Sequence, residues 1–268
     1  MIVIQEMCGR IGLVTGTGIA GVIRKHYGKK LLFVAVMLLL IANTVNIGAD
    51  LGAMAAAAEL VTHIPFAILL LGMTALTLGL EIFITYATYA RYLKYLTLSL
   101  LSYVCVAFVV RQDWSVVVAS LLSPHIEFTG AFLMNIVAML GTTISPYLFF
   151  WQADEEVEEE VAHGKLRAMG IGRPKINGED VRSMRIDTSI GMAFSNLITV
   201  FIIVTAASTL HANGILQIDT AAQAAELLRP IAGSFAFLLF SLGIIGTGLL
   251  AVPVLAGSAS YAVAEAFQ

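Results

Sequence analysis

Charged residues and cysteines are both scarce in this 268-residue chain. Asp, Glu, Lys and Arg make up 12% of it, which is about half the share found in soluble domains. Hydrophobic residues make up 59%, and the mean hydropathy is +0.89. This composition excludes a disordered regulator and an ordinary cytosolic enzyme, and it predicts an all-α polytopic membrane protein.

Three further features are missing. The two cysteines, Cys8 and Cys105, lie far apart and form no CxxC motif, so the sequence signals neither a disulfide framework nor a zinc site. The net charge of -3 gives no sign of a nucleic-acid partner. The five histidines fall in or near the loops of the predicted topology, so we expect no haem and no other resident cofactor.

The hydrophobic residues are grouped into long runs. Because a spanning helix needs about 20 mostly apolar residues, we predict a single transmembrane domain over 1–268 with about seven spanning segments. They are 1–23, 31–60, 65–86, 95–110, 128–153, 188–210 and 231–264. The first is the weakest, because it contains Glu6 and Arg10.

The basic residues predict the orientation of these segments. Successive segments cross the membrane in opposite directions, so the loops between them alternate between its two sides. Only Arg111 and Arg229 fall in the loops of one side, and Arg10 lies inside the first segment. The other twelve share the opposite side: Arg24, Lys25, Lys29, Lys30, Arg91, Lys94, Lys165, Arg167, Arg173, Lys175, Arg182 and Arg185. We therefore expect the basic loops and the 154–187 linker to be cytoplasmic in a multi-pass protein of the cell membrane. This topology calls for one more helix upstream, so we expect the chain to be part of a longer protein.

The linker opens with a strongly acidic run. Six of the seven residues in 154–160 are acidic, and basic residues follow. We interpret the run as a solvated helix end before a cytoplasmic loop. The alternative is a vestibule that attracts cations.

Glycines form two patterns. Gly16, Gly18 and Gly21 match GxGxxG, but no strand precedes them, so we reject a dinucleotide site. We expect close helix packing at these glycines, and also at the pairs Gly12/Gly16 and Gly48/Gly52, which have the spacing of small-residue contacts between membrane helices.

Asp50 interrupts an apolar segment. An ionisable group within a span is costly and suggests a function such as a proton or ion relay. The alternative is a structural aspartate bonded to a neighbouring helix. An intramembrane aspartyl protease would need a second aspartate at similar depth, and the sequence has none, so we expect no enzyme activity.

The run 140–152, LGTTISPYLFFWQ, predicts a broken helix. Pro146 has no N–H and clashes with the preceding turn, and the residues before it are poor helix formers. A break would free backbone carbonyls at membrane depth, where transporters bind ions. A simple proline kink is the alternative.

Three stretches resemble the Nramp family of divalent metal transporters. Residues 5–16 (QEMCGRIGLVTG) together with 19–20 resemble the family's second helix. Asp50 and its neighbours resemble the acidic point of the third helix. Residues 141–152 resemble the broken sixth helix. The resemblance implies a LeuT-type fold with inverted repeats, of which this chain would be an incomplete part, and a metal held between two unwound helices.

The resemblance also implies metal ligands. Ser145 stands at the position of the family's metal-binding methionine. The Thr142 carbonyl stands at the position of a backbone carbonyl that binds the metal. Pro146 matches the family's proline in the helix break. Because serine offers oxygen instead of a soft thioether, it favours a harder ion.

A proton or polar path is implied beside the metal. Asp50 matches the acidic residue tied to proton movement, Tyr147 stands where the family has histidine, and Gln5 belongs to the same path. Ala53 replaces a glutamate that often follows the aspartate, which puts proton coupling in question.

We therefore predict uptake of a divalent cation, Mn²⁺ or Fe²⁺, by alternating access in a lipid bilayer, with proton coupling. The alternatives are an uncoupled Mg²⁺ transporter of a related branch, a non-transporting fragment and a seven-helix receptor. The sequence predicts no oligomeric state.

Overall fold

The structure is a computed structural model that describes residues 1–83, 97–110, 112–123, 126–215 and 217–267. The described residues form ten α-helices: α1 (Ile2–Thr15), α2 (Ile19–His26), α3 (Lys29–Thr62), α4 (Phe66–Phe83), α5 (Leu101–Val109), α6 (Trp114–Leu122), α7 (Gly130–Thr143), α8 (Pro146–Ala162), α9 (Gly178–Thr209) and α10 (Ala221–Phe267). Helix α10 is kinked at Gly233, whose backbone is not helical (φ 88°, ψ 168°). Short 3-10 turns occupy Thr97–Leu100 and His211–Asn213. Arg91, Lys94, Arg111 and the junction of the third and fourth predicted segments lie outside the described residues.

Five helices within the described ranges are long and apolar enough to cross a membrane: α3, α4, α7 taken with α8, α9 with the turn that follows it, and α10. A sixth span results if Thr97–Val109 and Trp114–Leu122, which meet at 110°, are counted as one. Large apolar side chains cover the outside of α4, where Leu71 is 71% and Phe83 85% exposed. Such a surface suits lipid, and the all-α polytopic prediction is confirmed.

The first predicted segment, 1–23, is not one helix. Gly16 adopts a left-handed conformation (φ 66°) and donates its N–H to the Gly12 carbonyl at 2.8 Å, which ends α1. Helix α2 then starts afresh after Gly18. The described residues thus hold five or six membrane-length helices instead of about seven.

The chain divides into two compact units. The first comprises Met1–Asn46, Glu127–Phe194 and Val254–Gln268, and the second Ile47–Ile126 and Ser195–Pro253. The core of the first unit contains Ala20, Leu32, Val36, Leu39 and Ala262. A core of the second contains Ala57, Ala225, Phe237 and Ile244. The single transmembrane domain over 1–268 stays a prediction.

Glycines serve close packing at some predicted positions and not at others. A Cβ at Gly12 would collide with the backbone of Ala153 on α8, so α1 and α8 approach each other at this point. At Gly48 and Gly52 no atom of the described residues lies within 4 Å of an added Cβ. The expected close helix contact at that pair is therefore not found in the described part of the chain.

The 154–187 linker is mostly helical. Helix α8 runs to Ala162 and α9 begins at Gly178, so only the 15 residues between them are not helical. It is anchored to the α1–α2 turn by the Gly170 N–H, which donates to the Gly16 carbonyl at 2.7 Å. Its cytoplasmic location stays a prediction.

The acidic run is not solvated throughout. Asp154, Glu156 and Glu160 are 0%, 9% and 2% exposed. They lie on the faces of α8 that pack against other helices of the first unit, whereas a solvated helix end was expected.

Candidate functional site

The helix break lies at Ile144 and Ser145. Helix α7 ends at Thr143, Ser145 has an extended backbone (φ −94°, ψ 110°), and Pro146 is the first residue of α8. Proline suits a first helical position because its fixed φ is helical and its missing N–H is not needed there. It also disfavours helical geometry in the residue before it, which accounts for the extended Ser145.

The break changes the hydrogen bonding of one carbonyl in particular. In a continuous helix the Thr142 carbonyl would accept from the N–H of residue 146, and Pro146 has none. The Ser145 carbonyl accepts from the Leu148 N–H at 3.0 Å, within the first turn of α8. The side chain of Thr142 lies outside the described part of the structure.

Gln5 connects α1 to the start of α8. Its side chain is 4% exposed, and its Nε2 donates to the Leu148 carbonyl and to Oε1 of Gln152, both at 3.1 Å. The Oε1 atom of Gln5 is buried and has no hydrogen-bond partner among the described residues. The helix break and Gln5 therefore lie in the same unit, and Oε1 of Gln5 can still accept a hydrogen bond.

A polar chain continues along α8 from Gln5. Nε2 of Gln152 donates to Oε1 of Glu156 at 2.8 Å. Two cavities of about 180 and 250 Å³ follow, and both are lined by Glu156, Glu159 and Asp187. Carboxylates in such clefts attract cations. The sequence analysis did not predict the hydrogen-bonded pair Gln152 and Glu156. Their i, i+4 spacing on a helix could have indicated it, because residues at this spacing are neighbours on the helix surface.

Lys165 also lines the 180 Å³ cavity. Its Nζ donates to Oδ1 of Asp180 at 2.6 Å. This hydrogen bond raises the pKa of Lys165 above its usual value. Lys165 therefore stays charged in the neutral range and offsets part of the negative charge of the cavity.

Tyr147 and Ser145 flank the proline differently. The Tyr147 ring packs against the apolar core of the first unit, and its carbonyl accepts from Oγ of Ser258 at 2.9 Å. Ser145 is half-buried at the N-cap position of α8. The packing of the ring offers no support for a polar path at Tyr147, which stays a prediction.

Asp50 belongs to the second unit. It is half-buried on α3, one turn before Met54, which packs closely against Gly248 of α10. The structure thus brings Gln5, Ser145, Pro146 and Tyr147 into one compact unit and places Asp50 in the other.

No group of three or more His, Cys, Asp or Glu residues within the described ranges could hold a metal ion. The polar groups at and beside the break are the Ser145 hydroxyl, the Gln5 amide oxygen and backbone carbonyls. These are ligands of hard cations.

Comparisons with known proteins identify relatives. The divalent metal cation transporter MntH of Agrobacterium fabrum is 26% identical over 260 residues, which cover 92% of this chain and 53% of the relative. MntH of Deinococcus radiodurans is 23% identical over 254 residues, 92% of this chain and 55% of the relative. MntH of Caldanaerobacter subterraneus is 26% identical over 148 residues, 55% of this chain and 32% of the relative.

The chain spans between a third and about half the length of these relatives. The sequence profile of the Nramp family, described as natural resistance-associated macrophage protein-like, matches residues 1–268. Because that match covers the chain from end to end, the protein belongs to the Nramp family.

Proposed function

We propose that this protein transports divalent metal cations across the membrane by alternating access, as part of a LeuT-type fold. The observation that carries the proposal is the interruption at Ile144 and Ser145 inside Gly130–Ala162, a stretch of membrane-spanning length. Non-helical backbone at such depth is tolerated where it is buried or lines a water-filled cavity. The names of the relatives, divalent metal cation transporters, support the same function.

The proposed ligands are the hydroxyl of Ser145 and the carbonyl of Thr142. The carbonyl has lost its helical donor to Pro146, so a cation can take the place of the missing N–H. Oxygen ligands suit Mg²⁺ and Mn²⁺ better than soft ions. Fe²⁺ is also a divalent cation and belongs to the same proposed class of substrates.

Gln5 supplies a third oxygen in this proposal. Its Nε2 is held by Leu148 and Gln152, which fixes the amide and leaves Oε1 facing away from those two partners. From Gln152 the polar chain continues to Glu156 and the acid-lined cavities. We propose this chain as the route by which the cation leaves the break on the side of the basic loops, the cytoplasm.

Asp50 is proposed as the proton-binding residue of the coupled reaction. It lies on α3 inside a span, where an ionisable group is costly and usually functional. Tyr147 is proposed to line a polar path within the first unit through its backbone carbonyl, which accepts a hydrogen bond from Ser258.

The test is cation uptake by the full-length protein in proteoliposomes, with Mn²⁺ and Mg²⁺ compared with and without a pH gradient. Ser145→Ala and Pro146→Ala should each lower uptake at least tenfold while the protein still inserts. Ser260→Ala is the matched control, because Ser260 is exposed and its hydroxyl donates to the Ala256 carbonyl of its own helix. Unchanged uptake by both variants would contradict the proposed site.

A further inference from the structure

Glu265 closes the N-terminus of helix α2. Its carboxylate accepts from the Gly18 N–H at 2.5 Å, the Gly21 N–H at 2.8 Å and the Thr17 hydroxyl at 2.8 Å. It is 3% exposed. Three hydrogen-bond donors therefore point at one buried carboxylate, at the positive end of a helix.

Asp154 lies against the same turn from α8. It is fully buried, and neither of its carboxyl oxygens has a hydrogen-bond partner in the described structure. A Cβ at Gly18 would overlap with Oδ1 of Asp154 and lie 2.6 Å from Oε2 of Glu265. Two buried carboxyl groups therefore meet at one glycine, one with three donors and the other with none.

The surrounding charged groups do not neutralise Asp154. From α2, Arg24 donates to the backbone carbonyl of Glu265 at 3.0 Å instead of to a carboxylate. From α10, the Tyr261 hydroxyl donates to Glu158 at 3.0 Å. Glu158, on the helix of Asp154 itself, adds a further negative charge close by.

We propose that Asp154 and Glu265 form a proton-binding pair in which Glu265 is ionised and Asp154 carries the proton. An ionised Asp154 would be a second buried anion without a donor, which costs several kcal/mol in general. A protonated Asp154 is neutral and can donate its O–H to Glu265. When two neighbouring carboxyl groups have different environments, one can keep its proton as the acid while the other stays ionised as the base.

This site is separate from the helix break and does not depend on cation transport. Glu265 is held by backbone and hydroxyl donors of 17–21 and Asp154 projects from α8, so the shared proton holds α2, α8 and α10 together. Loss of the proton would place two anions side by side and loosen that junction. We therefore expect a rise in pH that removes this proton to lower the stability of the protein.

The test is infrared spectroscopy of the full-length protein at neutral pH in H₂O and D₂O. The wild type should show a carbonyl band of a protonated carboxylic acid that shifts in D₂O. Asp154→Asn should lose the part of this band that belongs to Asp154, and Asp219→Asn, which alters an exposed carboxylate outside the proposed sites, should leave the spectrum unchanged. Identical wild-type and Asp154→Asn spectra would overturn the proposal.

A second variant identifies the residue that carries the proton. Glu265→Gln should keep the Asp154 band at a shifted frequency, whereas loss of the band in this variant would place the proton on Glu265 and overturn the assignment. Thermal unfolding at several pH values provides an independent readout, because Asp154→Asn should remove the pH dependence described above. If Na⁺ or K⁺ raised the stability of the wild type but not of Asp154→Asn, the site would bind a metal cation instead of a proton. That result would also overturn the proposal.

Discussion

The side-chain amide of Asn43 on α3 donates to the backbone carbonyl of Leu255 on α10 at 2.9 Å. Asn43 is 1% exposed, so this hydrogen bond joins two membrane-length helices inside the first unit. Asn43→Ala should lower the free energy of unfolding by about 1–2 kcal/mol, measured by thermal unfolding in detergent. Asn46→Ala, on the exposed face of the same helix, is the control and should change it by less than about 0.5 kcal/mol.

Gly12→Ala should separate α1 from α8. The new methyl group would overlap with the backbone of Ala153, and overpacking of this kind costs about 1–3 kcal/mol. Gly48→Ala places the same methyl group in open space on α3 and should leave stability unchanged or slightly raised. Equal unfolding temperatures for the two variants would contradict the close α1–α8 contact.

Ser145→Met should shift the cation preference. A thioether binds soft transition metals better than hard ions, so Cd²⁺ should compete more strongly with Mn²⁺ uptake, and Mg²⁺ less strongly. Competition assays in proteoliposomes measure both effects. Ser260→Met is the control on an exposed helix face and should change neither.

Asp50→Asn should remove the acceleration of uptake by external acid. Asparagine keeps the shape of the side chain but cannot release a proton. Uptake without a pH gradient should persist, which separates coupling from transport. Glu59→Gln is the matched control on the same helix, because its amide oxygen can still accept from the Phe66 N–H, as the carboxylate does at 3.0 Å. An acid response that survives in Asp50→Asn would make Asp50 structural.

The sequence predicted the features that depend on local chemistry. Pro146 has a fixed φ and no N–H, so a break beside it follows from the residue itself, and the long apolar runs predict the helices. Gly16 also acts locally, but its left-handed conformation splits a run that composition alone presents as continuous.

Features that depend on packing could not be predicted in this way. Glu265 is 247 residues from Gly18 along the chain, and no periodicity links them. The charges of 154–160 indicated solvent, yet Asp154 is fully buried because α8 packs closely on α1 and near the α1–α2 turn. The same packing joined Gln5 to Gln152.

Helix α3 is longer than the membrane is thick. Its 34 residues extend for about 51 Å, against a hydrocarbon layer of about 30 Å. Counted from Leu31, where the apolar run begins, Asp50 lies about 28 Å along the axis. In an upright helix the carboxyl group would therefore lie near the far water boundary, and tilting of α3 would draw it inward. Bilayer thickness, which sets the tilt of an overlong helix, therefore sets how far the Asp50 side chain lies from water.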